Sequence, residues 1–229
     1  MKGGISVEIF ITLGDKEIFI PDSIVNFVFI ALFIVIFSAI VNKKAKNTNP
    51  DDVPSGFLNV VEMLIETINN LVRSTMGEHN MKFAPYILTI FVLILCSNLY
   101  GLLGFTSPTS DYSVTLALAL ATFVIVQVTG VRSAGGLFKY LKGFTEPNFL
   151  LTPLNVIGEL ANPVSLSFRL FGNILSGGLI MTLLYALFGY LAPVLAPPFH
   201  IYFDIFSGGL QAFIFTMLTM VFIGGATEA

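Results

Sequence analysis

Three ionisable side chains lie in the most apolar part of this sequence, where a charge is costly. Glu159, Arg169 and Asp204 fall within two long runs, residues 153–191 and 199–225, which contain no other Asp, Glu, Lys or Arg. A charged side chain at the centre of a bilayer costs about 2.5–3.5 kcal/mol on insertion scales. Arginine keeps its charge at neutral pH, so Arg169 has no neutral form that would avoid this cost. We expect all three side chains to face protein or enclosed water and to take part in moving ions.

A structural salt bridge is the alternative role for these charges. Arg169 would then pair with Glu159 or Asp204 and hold helices together. Ten residues separate Glu159 from Arg169, which corresponds to about 15 Å along a helix and about 80° around it. Those two side chains are therefore poor direct partners, and ion transfer is the stronger hypothesis.

Each of the two runs also carries polar or small residues at helical spacing. Positions i, i+4 and i+7 share one helix face. They are occupied by Arg169, Asn173 and Ser176 in the first run, and by Asp204, Gly208 and Gln211 in the second. Small residues beside both stripes would let the two helices approach closely in lipid. Helix packing alone explains the glycines, but together with the charges the stripes favour a polar path.

The composition places these residues in a membrane protein. Of the 229 residues, 55% are hydrophobic and only 11% are charged. Soluble domains carry about 25% charged residues, so a soluble enzyme and a disordered chain are both excluded. The net charge of −3 gives nucleic-acid binding no electrostatic support. Cys96 is the single cysteine, which excludes an internal disulfide and a cysteine-based metal site. We expect neither a metal nor another cofactor.

Hydropathy predicts an all-α integral membrane protein that forms a single membrane domain over residues 1–229. A helix needs about 20 apolar residues to cross about 30 Å of hydrocarbon. Three runs have about this length and contain no charged residue or almost none: residues 23–41, 83–103 and 113–131. They are predicted to be the first three spanning helices.

The two runs that contain the buried charges are predicted to be the last two spanning helices. As one helix, residues 153–191 would be on the order of 57 Å long, almost twice the hydrocarbon core. A hairpin is the alternative, but no polar turn divides the run, so we predict one long, strongly tilted helix kinked by Pro163. Residues 199–225 are predicted to form the last helix, also long and tilted.

The segments outside these spans have patterns of their own. Residues 1–22 form an N-terminal segment in which residues 8–20 predict a short hairpin turning at Gly14-Asp15; a floppy terminus is the alternative. In residues 55–75 the apolar side chains follow one helical stripe, which is typical of an amphipathic helix at the membrane surface or against other helices. Residues 132–150 are rich in glycine and are predicted to be a loop.

The basic residues predict the orientation. If the N-terminus lies outside, five spans place eight basic residues on the cytoplasmic side, and only Lys2 and Lys16 outside. The eight are Lys43, Lys44, Lys46, Arg73, Lys82, Arg132, Lys139 and Lys142. Cytoplasmic loops are enriched in Lys and Arg, so we expect an outer N-terminus and a cytoplasmic C-terminus.

The sequence resembles a known family at the positions described above. Residues 163–179, PVSLSFRLFGNILSGGL, and 210–223, LQAFIFTMLTMVFI, look like the two signature helices of subunit a of F-type ATP synthases. The likeness extends to SNLYGLL at residues 97–103 and YLKGFTEP at residues 140–147. An intramembrane arginine within RLFGN, followed at a distance by LQAF, is a specific combination.

The resemblance implies a role for each matched position. Arg169 matches the arginine that faces the rotating ring of subunit c, and Asn173 and Gln211 match its polar neighbours. Asp204 and Gly178 stand where family members place a complementary pair, although the acid here is one methylene shorter than the glutamate often found.

The remaining site residues are assigned to two water-filled half-channels, an outer and an inner one, through which ions would reach the site. Glu159 resembles a family acid before the signature arginine, and would either line the inner path or bind a neighbouring helix. Ser176, Gly178 and Gly208 are expected to line a half-channel. His200 is read as an interfacial histidine, with a place in the outer half-channel as its alternative.

Taken together, the resemblance implies an ion-translocating stator subunit that makes no chemical bond itself. Two aqueous half-channels would meet the ring of subunit c near Arg169 and couple H⁺ or Na⁺ flow to rotation. The expected partners are the subunit c ring, the subunit b stator stalk, the rest of the ATP synthase and the lipid of a bacterial inner membrane.

Other classes of membrane protein fit less well. A stand-alone channel or secondary transporter would also need intramembrane charge, but no internal inverted repeat is visible. An intramembrane enzyme lacks support, because neither HExxH nor GxSxG occurs. A structural scaffold without transport is the third alternative, and the proteins that co-purify with the chain would separate all three from the first hypothesis.

Overall fold

The computed structural model of the chain describes residues 9–13, 16–47, 56–145 and 149–228. Within these residues, five helical stretches are long and apolar enough to cross a membrane. They are Asp22–Lys46, Glu78–Leu103, Tyr112–Ser133, Phe149–Leu195 and Pro197–Thr227. The predicted all-α membrane architecture with five spans is confirmed, with one small hairpin added before the first helix.

The hairpin lies where the sequence predicts it. Strands β1 (Ile9–Leu13) and β2 (Lys16–Ile20) pair in antiparallel fashion, from Ile9 opposite Ile20 to Leu13 opposite Lys16. The predicted turn, Gly14-Asp15, lies outside the described residues.

Helix α1 (Asp22–Lys46) begins directly after Pro21 and is apolar on all sides. Most of its large side chains are exposed, such as Phe29 and Val35. Its first turn is fixed by one polar contact, in which the Ser23 hydroxyl donates to Asp111 Oδ2 at 2.6 Å. The beginning of α1 is therefore attached to the segment that precedes the third span.

Asp111 also starts that span, helix α4 (Tyr112–Ser133), as its N-cap. Its carboxylate accepts the backbone N–H of Ser113 at 2.8 Å, as expected of an aspartate in this position. Burial opposes ionisation of Asp111, but the hydrogen bonds from Ser23 and Ser113 outweigh burial and lower the pKa of its carboxyl group.

Helix α2 (Gly56–Met76) is the amphipathic helix predicted over residues 55–75. Its charged side chains are exposed, whereas Ile68, Val72 and Met76 are buried. These three pack in one cluster with Ile87 of helix α3 (Ala84–Leu99). The apolar face of α2 therefore packs against other helices, one of the two arrangements that its pattern predicts.

The segment predicted to be a loop over residues 132–150 contains a helix. Gly135 and Gly136 take positive φ values of 75° and 141° and end α4, a conformation that glycine adopts at little cost. The chain then forms α5 (Leu137–Gly143), a helix of 7 residues. The loop prediction was wrong here because a two-turn helix bounded by glycines leaves almost no periodic signal.

The predicted single long helix is confirmed over the hairpin alternative. Helix α6 runs without a break from Thr152 to Phe188, 37 residues with Pro163 inside it. Its length is about 56 Å, and the chain continues through a turn of 3-10 helix and the short helix α7 (Ala192–Leu195). The tilt and the kink of α6 stay predictions.

The last predicted helix is helical throughout but not uniformly α-helical. The short helix α8 (Pro197–His200) is followed by a π-helix, Ile201–Ser207, and then by α9 (Gly208–Glu228). A π-helix bonds residue i to i+5, so its side chains do not follow α-helical spacing. The stripe argument that placed Asp204 on one face with Gln211 therefore does not hold across this segment.

The core lies between α3, α4, α6 and α9. Ile94, Leu170, Ala212 and Phe215 are fully buried there and belong to one cluster. The opposite side of α6 is exposed along its length, as at Leu160, where 55% of the residue is accessible, and Leu183, where 69% is. One face of α6 therefore holds the bundle together, and the other is left uncovered by the described residues.

Polar contacts at the two ends of the bundle show which segments lie together. Thr227, near the end of α9, accepts from Asn80 Nδ2 at 2.9 Å through its hydroxyl and from the Ser133 hydroxyl at 2.8 Å through its carbonyl. At the other end, Asn26 Nδ2 donates to the carbonyl of Thr106 at 2.9 Å. The ends of α4 and α9 therefore lie together, at the end of the bundle opposite the beginning of α1. Which end faces the cytoplasm stays a prediction.

Cysteine labelling tests that orientation. In a chain whose Cys96 is replaced by Ala, Ser110→Cys and Lys44→Cys should react with an impermeant thiol reagent from opposite sides of sealed vesicles. Ser110 lies at the end of the bundle where α1 begins, whereas Lys44 lies where α1 ends, one span away. The Cys96→Ala chain alone is the control and should not react. Reaction of both cysteines from the same side would contradict the arrangement.

Candidate functional site

Arg169 lies on the uncovered side of α6. It is exposed, although the next residue, Leu170, is fully buried in the core. In the described part of the chain its guanidinium has neither a hydrogen bond nor an ion pair. The alternative in which Arg169 pairs with Glu159 or Asp204 is therefore wrong for this chain. Among the described residues the guanidinium of Arg169 therefore stays exposed and without a partner.

Beside Arg169, a hydrogen bond joins α6 to α9. Asn173 follows Arg169 by one helical turn, and its Nδ2 donates to Gln211 Oε1 at 2.6 Å. Gln211 is only 2% exposed, and its Nε2 is buried without a partner among the described residues. Asn173 and Gln211, which the resemblance places near Arg169, thus bind each other. The Nε2 group of Gln211 could still donate a hydrogen bond.

A second polar group forms where the π-helix meets the far part of α6. His200 Nδ1 lies 2.5 Å from Asp204 Oδ2, and the Tyr185 hydroxyl lies 2.7 Å from His200 Nε2. A neutral imidazole with its proton on Nδ1 satisfies both contacts, since Nδ1–H donates to the carboxylate and Nε2 accepts from tyrosine. The His200 and Asp204 side chains are 35% and 28% exposed, so this group is half-buried.

Of this group, the sequence identified Asp204 and His200 but not Tyr185. Tyr185 lies in α6, fifteen residues before His200, and no spacing rule links the two helices. Its only signal in the sequence was a hydroxyl, which Thr182 and Tyr190 in the same run also carry. In the structure His200 contacts both Tyr185 and Asp204, and its place at an interface or in the outer half-channel stays a prediction.

The glycines of the two stripes have different surroundings. Gly208 is buried, and a Cβ there would lie 3.2 Å from Asn98 Cβ of α3. Asn98 Nδ2 donates to the Gly208 carbonyl at 2.8 Å, so close helix packing accounts for this glycine. Around Gly178 nothing lies within 4 Å of an added Cβ, and Ser176 is also exposed. Their assignment to a half-channel stays a prediction.

A third polar group surrounds Glu159, near the beginning of α6. Gln127 Nε2 of α4 donates to Glu159 Oε1 at 2.7 Å, and the Tyr140 hydroxyl of α5 donates to Gln127 Oε1 at 2.8 Å. Glu159 therefore binds a neighbouring helix. It also lines an open cleft of about 740 Å³ together with Lys139, Tyr140, Asn155 and Asn162.

The electrostatics of Tyr140 reflect this neighbourhood. Burial raises the pKa of the Tyr140 hydroxyl, and the negative charge of Glu159 raises it further. The hydrogen bond with Gln127 offsets only part of that increase. Sequence reasoning missed both Tyr140 and Gln127. The segment that contains Tyr140 was predicted to be a loop, and Gln127 was a single amide in a span with no pattern linking it to Glu159.

The three polar groups are spread along α6 rather than gathered in one pocket. Glu159 lies ten residues before Arg169, and Tyr185 lies sixteen residues after it, which corresponds to about 15 Å and about 24 Å along the helix. No set of three or more His, Cys, Asp or Glu side chains in the described ranges could hold a metal ion. Along α6, the isolated positive charge of Arg169 therefore lies between two groups that each contain a carboxylate.

Comparisons with known proteins agree with the likeness seen in the sequence. A family model described as the ATP synthase A chain matches residues 24–224. ATP synthase subunit a of Trichlorobacter lovleyi is 40% identical over 181 residues, which cover 77% of this chain and 76% of that protein.

Two further relatives bear the same name. The protein of Chlorobium phaeobacteroides is 34% identical over 231 residues, covering 95% of this chain and 68% of its own length. That of Moorella thermoacetica is 38% identical over 172 residues, covering 75% and 77%. With the five apolar spans, these matches show that the chain is a multi-pass membrane protein belonging to the family of ATP synthase subunit a, a component of the ATP synthase complex.

Proposed function

We propose that this chain is the ion-translocating stator subunit of an F-type ATP synthase, which couples H⁺ or Na⁺ flow to rotation of a ring of subunit c. The observation that carries the proposal is Arg169, a permanent charge on the uncovered face of a long apolar helix, without a partner in the described residues. Such a charge is stable in a membrane only if another protein or water covers it. A passing ring carboxylate would be its partner.

The charge has the strength that this task needs. A carboxylate held in an apolar environment tends to stay protonated, because desolvation disfavours the charged form. A positive charge about 4 Å away offers roughly 4 kcal/mol at an effective dielectric constant near 20, equivalent to about three pKa units. Arg169 would thus keep a ring carboxylate ionised as it passes, and would block ions from crossing directly between the two half-channels.

The positions of the acidic groups support two separate access paths. Asp204 with His200 lies towards one end of α6, and Glu159 with its cleft lies towards the other. Arg169 lies between them along the helix. We assign the outer half-channel to Asp204, Gln211 and Asn173, with Ser176 and Gly178, and the inner half-channel to Glu159. An ion entering at one end could then leave at the other only by travelling round the ring.

The partners follow from this function. The ring of subunit c would cover the exposed face of α6, the subunit b stalk would hold the chain as a stator, and the complex would lie in a bacterial inner membrane. The nucleotide chemistry would take place elsewhere in the complex, because the groups assembled here are suited to binding and releasing ions.

Extraction in mild detergent tests the proposal against a stand-alone channel or transporter. An affinity-tagged copy of the chain should carry with it a ring of small hairpin subunits and a soluble ATPase, because its α6 face is built to be covered. Mass spectrometry of the purified complex identifies them. A chain that purifies alone and conducts ions by itself in vesicles would contradict the proposal.

A further inference from the structure

We propose that Tyr140 is a positioning residue for Glu159 and acts through Gln127. The proposal rests on the function proposed above, in which Glu159 lines the inner access path. It concerns a residue of α5, which none of the family motifs used above singles out for ion transfer.

The order of the hydrogen bonds gives Tyr140 this role. The amide of Gln127 has one acceptor end and one donor end. The Tyr140 hydroxyl donates to the acceptor end, Oε1, at 2.8 Å, which leaves the donor end, Nε2, facing Glu159 Oε1 at 2.7 Å. Tyr140 therefore holds the acceptor end of the amide and supports the orientation in which an N–H group, and not the carbonyl oxygen, faces Glu159.

Tyr140 is itself held in place by α4. A Cβ at Gly130 would lie 2.6 Å from Cε2 of the Tyr140 ring, so the ring packs where only a glycine leaves room. Phe144 closes the other side of the ring in an edge-on contact, with the ring centroids 5.1 Å apart. The packing of its ring thus holds the Tyr140 hydroxyl within hydrogen-bond distance of Gln127.

Loss of the hydroxyl would release the amide. Gln127 would then be held at its Nε2 end only, so the amide and the Glu159 carboxylate bound to it could move together out of their present position. Because Glu159 lines the cleft of about 740 Å³, a misplaced carboxylate would slow ion passage at this end of the path. The scaffold would stay intact, since α5 still packs through its rings.

The test is a double-mutant cycle in the complete complex, reconstituted in vesicles. Tyr140→Phe should lower ATP-driven ion uptake about two- to tenfold, the equivalent of one hydrogen bond. In a Glu159→Gln background the same change should have no further effect, since the group to be positioned is gone. Passive conductance of the membrane sector without its ATPase gives the same comparison when uptake is low.

A role in merely fastening α5 to α4 predicts a different result. Tyr140→Phe would then lower uptake by the same factor in both backgrounds, and that outcome would overturn the proposal, as would unchanged uptake in Tyr140→Phe alone. Ion uptake by the unaltered complex tests the proposed function separately: if it occurs and the cycle shows no coupling, only the present inference fails.

Two further variants sharpen the test. Gly130→Ala should reproduce Tyr140→Phe because it displaces the ring, whereas Gly56→Ala, where an added Cβ meets nothing within 4 Å, should not. Tyr100→Phe is the matched control for loss of a hydroxyl: its ring packs on Phe105 with the centroids 5.1 Å apart, and uptake should be unchanged. If Gly130→Ala fails to assemble, the cycle with Tyr140→Phe still decides.

Discussion

Replacing Arg169 by alanine should abolish both ion-driven ATP synthesis and ATP-driven ion pumping, while the complex stays assembled. The side chain is exposed and has no partner in the described part of the chain, so its removal breaks no contact that holds the bundle. The ring carboxylate would lose roughly 4 kcal/mol of stabilisation. At about 1.4 kcal/mol for each factor of ten, that is a loss of about three orders of magnitude, enough to stop turnover.

Two related results should accompany this loss. Passive ion leak through the membrane sector should rise in Arg169→Ala, because the charge that separates the half-channels is gone. Arg169→Lys should fail as well or nearly so, since a lysine covered by the ring in the complex could lose its proton and lacks the planar fork of arginine.

The measurement is ATP-driven ion uptake in reconstituted vesicles, alongside the subunit composition of each purified complex. Arg132→Ala is the matched control, because Arg132 is an exposed arginine at the end of α4, and it should pump normally. Normal pumping by an assembled Arg169→Ala complex would refute the mechanism. Failure of Arg169→Ala to assemble would instead indicate that the charge holds the structure together.

The sequence predicts those parts of the molecule that depend on the length of apolar runs and on the free-energy cost of placing a charge within them. A run of about 20 apolar residues has one solution in a bilayer, a helix, and the five spans follow. The same cost singles out Arg169, because a charge within such a run needs a reason. The absence of a polar turn likewise predicted that α6 is one helix of 37 residues.

What the sequence did not predict depends on contacts between helices. The π-helix Ile201–Ser207 has no compositional signature, because its i→i+5 hydrogen bonds and its different side-chain spacing require no particular residue types. Tyr185 and Tyr140 belong to their polar groups only through contacts between helices, which the sequence does not display. A pattern within one helix cannot report a partner on another, so Asp204 was found without its hydrogen-bond chain and Glu159 without Gln127.

The same distinction applies to the small residues. Spacing alone put Gly208 in a polar stripe with Asp204, yet in the structure it allows α9 to approach Asn98 of α3. Gly178 has the same residue type and open space around it. The sequence treats these two glycines alike, and only the packing shows that one allows a close helix contact while the other faces open space.

Replacing Asp204 by alanine should slow ion-driven ATP synthesis by at least about tenfold without dissociating the complex. Asp204 is half-exposed in the π-helix, and its carboxylate binds His200, which in turn binds the Tyr185 hydroxyl. A hydrogen bond to a charged group contributes about 1.5–3 kcal/mol, equivalent to a factor of about ten or more in rate. With the carboxylate gone, the chain of three groups ends at His200 and the outer path loses its acid.

Conservative variants separate the acid from the packing. Asp204→Glu should retain part of the activity, because a carboxylate remains within reach of His200. Asp204→Asn keeps the shape of the side chain but cannot take up and release an ion, so it should behave like Asp204→Ala. Glu62→Ala removes an exposed carboxylate from α2 and should leave synthesis unchanged. Initial rates of ATP synthesis under an imposed ion gradient compare the four proteins. If Asp204→Ala and Asp204→Asn both synthesise ATP at the normal rate, the outer path does not run through Asp204, and the hydrogen-bonded group around His200 has only a structural role in joining the π-helix to α6.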